Sequence, residues 1–306
     1  MILTVTLNAA LDVTYHVPTL VPGGAHRVEP TGARAGGKGI NVARVLHALG
    51  HDPLVTGFAG GDTGREIRAD LAAADIREAL VEPSAPARRT VTVVSTSDGS
   101  ATAFNEPGPR LSIEDWAWFV GRFHELAGRA DVVVLSGSLP PGLPDHAYAQ
   151  LVGATTTPTI LDTSGGPLLE GVAARPRVIK PNADELAVTG LADPLAAARE
   201  LRSRGAGAVV ASRGADGLVA VTGDGTWRAV GPEPLRGNPT GAGDACVAAL
   251  AAGLAAGTPW PALLADAVAL SAAAVACPLA GDVDLDTYRR LAPRVSVEEL
   301  DAHPDR

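Results

Sequence analysis

Short apolar runs alternate with amphipathic helical stretches from one end of this chain to the other, and that alternation most narrows the folds open to it. "ILTVTLN" (2–8) reads as a strand, and "INVARVLHAL" (40–49) as a helix ended by Gly50. "LVTGFAG" (54–60) is again a strand, and "GREIRADLAAA" (64–74) a helix. "DVVVLSG" (131–137), "TPTILDTS" (157–164), "RVIKPN" (177–182) and "AVVASRG" (208–214) continue the series. Runs that are apolar without a break, separated by helices, belong to a parallel sheet buried on both faces. The expected class is α/β: a doubly wound, mostly parallel sheet flanked by helices.

Two regions break the rhythm. Residues of about 12–31 and 88–106 carry alternating patterns, "DVTYHV", "HRVEPT", "RTVTVVSTS" and "SATAFN". They predict a small β-sheet projecting from the main layer as a lid, with "VEPSAPARR" (81–89) leading into it. An exposed lid with apolar alternation needs a cover, so a homodimer through the lid is expected.

Bulk properties set the partners. A length of 306 residues, 46% of them hydrophobic, supports a large core, and the formal net charge of -9 argues against nucleic acid and anionic membrane as partners. Cys246 and Cys277 are the only cysteines and do not form a C-x-x-C pair. With no basic leader in "MILTVTLNAALD" and no run long enough to cross a bilayer, a cytoplasmic protein is expected.

Chemistry concentrates in two glycine-rich stretches. "TGARAGGKGIN" imitates a P-loop, but Gly39 stands where the magnesium-binding hydroxyl belongs, so a P-loop is rejected. Gly36 and Gly37 still let backbone approach a ligand, with Asn41 one turn into the following helix. In "NPTGAGDA" (238–245) a helix begins on two glycines, although Asn238 or Thr240 could supply an ordinary cap. Amides of Gly241, Ala242 and Gly243 there would suit an anion. Asp244 is then either a base acting on a hydroxyl that attacks this anion, or an acid that favours the helix dipole by ~0.3–1 kcal/mol. The strand ends Asn8, Ser136–Ser138, Asp162, Lys180–Asn182 and Ser212–Gly214 would rim such a site, although Asp162 and Ser212 alone read as turn chemistry.

"GGKGINVARVLHALG" (36–50) followed by "NPTGAGDACVAALAAG" (238–253), with "FNEPGP", "VVVLSGSLPPGLP" and "VIKPNADEL" between them, resembles the PfkB carbohydrate kinases of ribokinase-like fold, in the phosphofructokinase and tagatose-6-phosphate kinase branch. The resemblance implies one kinase domain over 1–306 and ATP-dependent phosphorylation of a ketohexose phosphate. Asp244 would be the base, with Gly241, Ala242 and Gly243 as the anion hole. Asn182 would serve ATP, and Glu185 would serve Mg2+. Asp12, Gly36, Gly37, Asn41 and Ser138 would meet the sugar, and Arg27, Lys38 and Arg88 its phosphate. Ser212, Arg213 and Gly214 would lie near the nucleotide. The chain has Ala87-Arg88-Arg89-Thr90 where this branch shows Thr-Arg-x-Asn, which leaves open whether Arg88 or Arg89 faces the substrate. The rival readings are a kinase of a non-phosphorylated sugar or nucleoside on the same fold, and a sugar- or nucleotide-binding regulator without catalysis.

Overall fold

A computed structural model describes residues 1–28 and 32–300. In chain order it opens with β1 (Ile2–Thr6), β2 (Ala10–Val17), β3 (Ala33–Gly36), α1 (Lys38–Ala48), β4 (Pro53–Phe58), α2 (Gly61–Ala73) and β5 (Arg77–Val81). Then come β6 (Arg88–Ser95), β7 (Ala101–Asn105), α3 (Ile113–Ala127), β8 (Val132–Ser136), α4 (Ala147–Gly153), β9 (Thr159–Asp162), α5 (Gly165–Ala173) and β10 (Val178–Ile179). The last part holds α6 (Ala183–Leu186), α7 (Pro194–Ser203), β11 (Val209–Ser212), β12 (Leu218–Val221), β13 (Thr226–Val230), α8 (Ala242–Ala256), α9 (Trp260–Val275), α10 (Leu285–Leu291) and β14 (Ser296–Glu299).

Ten strands form the main sheet in the order β14-β13-β12-β11-β10-β9-β8-β1-β4-β5. From β11 to β5 every pairing is parallel, and β12, β13 and β14 extend the sheet antiparallel. The parallel strands are buried on both faces. Val133 and Leu135 face a core with Phe119, Phe123 and Tyr148, whereas Val132 and Val134 face Val45, Val247 and Leu264. The continuous apolar runs in the sequence have this cause. Helices α8 and α9 are alanine-rich because they pack closely; a Cβ on Gly253 would collide with Leu263.

The lid is a four-stranded sheet in the order β3-β2-β6-β7, with β2 and β6 parallel. One part of the expectation needs correction. "HRVEPT" forms no strand over 26–28, and its residues 29–31 lie outside the described ones. The edge strand is Ala33–Gly36, which pairs with β2 from Val13↔Ala33 to Ala10↔Gly36. The sequence reading also passed over β5 and the antiparallel extension. Among the described residues no helix is long and apolar enough to cross a membrane.

Candidate active site

The carboxyl ends of β1, β8, β9 and β10, the starts of α1 and α8, and the base of the lid meet at one mouth of the sheet. Helix α8 begins on Gly241, in the left-handed region at φ 90°, with no side-chain cap. Asn238 Oδ1 accepts instead from Thr240 N at 3.0 Å, outside the helix. Ala242 N bonds Pro239 O at 3.2 Å. The amides left open at this start are therefore those of Gly241, Gly243 and Asp244; of the expected set Gly241, Ala242 and Gly243, Ala242 is engaged with Pro239 O and the amide of Asp244 takes its place.

Asp244 lies in that first turn and is 6% exposed. Burial, and then the nearby charge of Asp162, push its carboxyl up to about 7; the Asn41 hydrogen bond, Lys38 and Lys180 oppose this. Asn41 Nδ2 donates to Asp244 Oδ2 at 2.8 Å, so this amide, expected to meet the sugar, is engaged with the carboxylate.

Next to it lies an ion cluster that draws in both lysines of the chain. Asp162, 1% exposed at the end of β9, meets Lys180 at 3.2 Å and Lys38 at 3.4 Å, and accepts from Ser136 Oγ at 2.9 Å. Burial alone would raise the Asp162 carboxyl, but the two ammonium groups hold it below its ordinary value. Lys180 lies under the helix start, its Nζ 3.5 Å from where a Gly243 Cβ would be. Lys38 also approaches Glu185 at 3.7 Å. Burial works against its charge, yet Asp162, Glu185 and Asp244 together hold it above the usual lysine value. Asp162 and Lys180 are the residues that sequence reasoning undervalued, because a strand-end carboxylate or lysine looks like turn chemistry until its partners are known.

The N-x-x-E spacing has a local cause as well. Asn182 Oδ1 accepts from Glu185 N at 2.8 Å, and Glu185 Oε2 accepts from Asn182 N at 2.9 Å, a capping box on α6. Asn182 Nδ2 remains for other work, and Glu185 Oε1 is the atom that faces the Lys38 ammonium at 3.7 Å. Ser212 bridges to Asn182 in parallel register, which places Ser212, Arg213 and Gly214 beside it. Arg213 approaches Asp216 at 3.7 Å.

The lid supplies the opposite wall. Asp12 pairs with Arg34 and Thr90, and Ala10 with Gly36 and Arg88, so Asp12, Arg34, Gly36, Arg88 and Thr90 share one face. Arg89 is on the other, 3.9 Å from Glu66. Burial raises Asp12 to about 6 against the pull of Arg88, Thr90 and Arg34. A Cβ on Gly36 would collide with the Asp12 carboxyl, and one on Gly37, at φ 103°, would come 2.7 Å from Thr6 Cγ2. Arg88 donates to Asn8 O at 3.1 Å and Glu106 O at 3.2 Å. Asn8 Nδ2 in turn donates to Pro107 O at 3.1 Å and Ser138 Oγ at 3.2 Å.

The three expected phosphate cations do not form one cluster. The charged neighbours of Lys38 are Asp162, Lys180, Glu185 and Asp244, and those of Arg88 are Asp12 and Glu106. Lys38 begins α1 and reaches across the sheet mouth towards β9, away from the lid. Arg27 lies exposed in a loop with no ion pair among the described residues.

With this geometry in place, comparison with known proteins is informative. The model of the pfkB family carbohydrate kinases matches residues 5–287. A 1-phosphofructokinase of Bacillus subtilis is 34% identical over 263 residues, which cover 83% of this chain and 86% of that protein. Phosphofructokinase-2 from Escherichia coli in complex with potassium superposes with a TM-score of 0.91 at 29% identity, covering 96% of this chain and 98% of the other. The same enzyme in complex with fructose-6-phosphate gives 0.88 at 30%, with the same coverage.

Proposed function

This chain belongs to the pfkB family of carbohydrate kinases and is an ATP-dependent sugar phosphate kinase; from that premise we propose that it phosphorylates the free hydroxymethyl group of a ketohexose phosphate, with Asp244 as general base. The substrate would be fructose 1-phosphate, fructose 6-phosphate or tagatose 6-phosphate. One observation carries the reading: a buried carboxyl pushed up to about 7 in the same helical turn as open amides. A base near neutrality can take a proton from an alcohol as it attacks, a contribution of about 10²–10⁴-fold. The amides and Lys180 beneath them would balance charge developing on the transferred group. The lid face with Asp12 and Arg88 would hold the sugar phosphate and exclude water, which limits wasteful hydrolysis of ATP.

The donor set also fits Mg2+. Asp162 and Glu185 both face the Lys38 ammonium, so two carboxylates already share one cation at this mouth. Magnesium takes few carboxylates and keeps its waters. Glu185, with Asn182 beside it, would hold the metal, which when bound would offset charge on the ATP phosphates.

We assign the homodimer to the other face of the lid. Val13, Val91 and Phe104 stand in register there, as do Tyr15, Val93 and Thr102, and Phe104 is 55% exposed. A neighbouring lid of the same kind would cover this apolar strip.

The functional test is ATP consumption, coupled to a reporter, with the three sugar phosphates, free fructose and ribose. Turnover of at least one sugar phosphate far above the free sugars is expected. Turnover confined to free sugars would overturn the substrate class, and full activity in Asp244→Ala would overturn the base.

A further inference from the structure

The loop after α9 touches several parts of the site at once. Asn238 Nδ2 donates to Pro278 O at 2.9 Å. Ala280 and Gly281 lie behind the residue that opens α8: a Cβ on Gly241 would stand 2.9 Å from Ala280 Cα and 3.2 Å from Gly281 N. On its other side the loop rests on α1, where a Cβ on Gly281 would be 3.0 Å from Arg44 Cδ and 3.2 Å from Asn41 Oδ1. Asp282 then accepts a hydrogen bond from Arg34 Nη2, on the lid strand β3, 248 residues away in sequence.

Arg34 stands opposite Asp12 on the sugar-facing side of the lid. The Arg34–Asp282 pair therefore joins that face to the loop that backs the α8 amides. As a stability element it is weak, because the two side chains are 22% and 41% exposed. Among the described residues, Nη1 of Arg34 and Nε of Arg44 beside the loop are buried without a hydrogen-bond partner. The junction thus keeps unmet donors in this position of the lid.

We propose that Arg34 and Asp282 are a positioning pair, which ties the lid to the loop behind Gly241 so that engagement of the sugar sets the placement of the α8 amides and, through Asn41, of Asp244. The inference rests on the reading of Asp244 as base, and it adds a physical link between the two walls of the site. Contiguous packing and ion pairs of this kind are what coupling between sites requires.

The test compares wild type with Asp282→Asn, Asp282→Glu, Arg34→Met and the double variant R34M/D282N, using the sugar phosphate that wild type turns over fastest. Asp282→Asn should lower kcat about tenfold, with KM for ATP within about twofold and Tm unchanged. Asp282→Glu should restore most of the rate, and the double variant should be no slower than Arg34→Met alone. Wild-type kcat in Asp282→Asn, a glutamate variant as slow as the asparagine one, or losses that multiply in the double variant would overturn the pairing. A fall in Tm matching the fall in kcat would reduce the pair to a structural role and would also overturn it. Hydrogen exchange over Gly241–Cys246 gives a readout independent of turnover: it should quicken in Asp282→Asn and return to near the wild-type rate in Asp282→Glu. Unchanged exchange in Asp282→Asn sinks the inference whatever the substrate. Absence of turnover in wild type counts against the proposed function instead.

Discussion

Asn41 Nδ2 lies 2.8 Å from Asp244 Oδ2, a bond between the first turns of two helices that are 203 residues apart in sequence. The amide donates to the ionised carboxylate and so opposes the burial that raises Asp244 to about 7. Catalysis by a base needs the ionised form, so kcat/KM should fall on the acid side with a midpoint near that value. Removing the donor in Asn41→Ala should move the midpoint to higher pH, and at pH 7 the rate should fall further than at pH 9. A pH profile of kcat/KM for both proteins checks this. An unmoved or lowered midpoint would separate the limb from Asp244.

The same shift has a consequence for stability. A carboxyl whose folded value is raised from 3.8 to about 7 binds its proton more tightly in the folded chain than in the unfolded one. Folding is then undisturbed below the unfolded value and is progressively penalised as pH rises from there through about 7. Asp244→Asn removes the penalty while removing the base. It should lose at least about 10²-fold in kcat and gain stability over wild type at pH 8, on the order of 1–4 kcal/mol, with little gain at pH 4. Thermal or urea unfolding at the two pH values measures the difference. A gain that is equal at both, or larger at pH 4, would mean that Asp244 ionises as an ordinary carboxylate.

The two glycines of the α8 start separate conformation from space. Gly241 sits at φ 90° with Ala280 Cα 2.9 Å from its missing Cβ, so Gly241→Ala adds both backbone strain and overlap. A loss of roughly 1–3 kcal/mol is expected, with kcat reduced because the open amides shift. Gly243 lies inside the helix, and its Cβ would meet Lys180 Nζ at an ordinary 3.5 Å. Gly243→Ala should fold as well as wild type or better, by about 0.5–1 kcal/mol. Tm and kcat of the pair decide it; equal damage from both changes would contradict the geometry.

How far the sequence alone reveals this protein depends on whether a residue's meaning is local. Strand β8 is legible because burial on both faces writes an unbroken apolar run over Val132–Leu135, and β1 because only Thr4 and Thr6 interrupt one. The start of α8 is legible because Gly241, Gly243 and Asp244 are neighbours in the chain. Strand β3, only "ARAG", is not legible, since its strand character comes from pairing with β2. The short antiparallel strands β13 and β14, "TWRAV" and "SVEE", carry little apolar signal and are specified by each other. Asp162 draws its character from Lys38, 124 residues earlier, and from Lys180. No spacing rule announces that meeting.

The exposed side of the lid gives a prediction about assembly. Val93 pairs with Tyr15 and Thr102, and Val91 with Phe104, in an apolar strip on the side opposite Asp12 and Arg88. A charge placed there should leave the fold intact and repel a second copy, because an unpaired charge is strongly disfavoured at a buried interface. Wild type should sediment as a dimer at micromolar concentration, and Val93→Glu as a monomer. A monomeric wild type, or a dimer that ignores Val93→Glu, would remove the lid as the interface.

Arg88 and Arg89 are neighbours in sequence, but strand register puts them on opposite faces. Arg88 pairs with Ala10 and shares its side with Asp12; Arg89 pairs with Leu11 and reaches Glu66 at 3.9 Å. In the present arrangement Arg88 is held by two backbone carbonyls, Asn8 O and Glu106 O, with Asp12 and then Glu106 as the acids that favour its charge. Carbonyls bind a guanidinium less strongly than a phosphate dianion does, so a sugar phosphate can recruit the side chain without breaking an ion pair. Arg88→Ala should therefore raise KM for the sugar phosphate at least about tenfold, since hydrogen bonds to charged groups contribute about 1.5–3 kcal/mol. KM for ATP should change less than about threefold, because the nucleotide end proposed above rests on Asn182 and Ser212, which pair with each other outside the lid. Arg89→Ala removes only a half-exposed ion pair and should leave both constants within about twofold. Steady-state kinetics on the two variants, each with sugar phosphate and ATP varied in turn, are sufficient. Equal effects on the two substrates in Arg88→Ala, or a larger sugar effect in Arg89→Ala, would reverse the assignment of faces and with it the place of the phosphate.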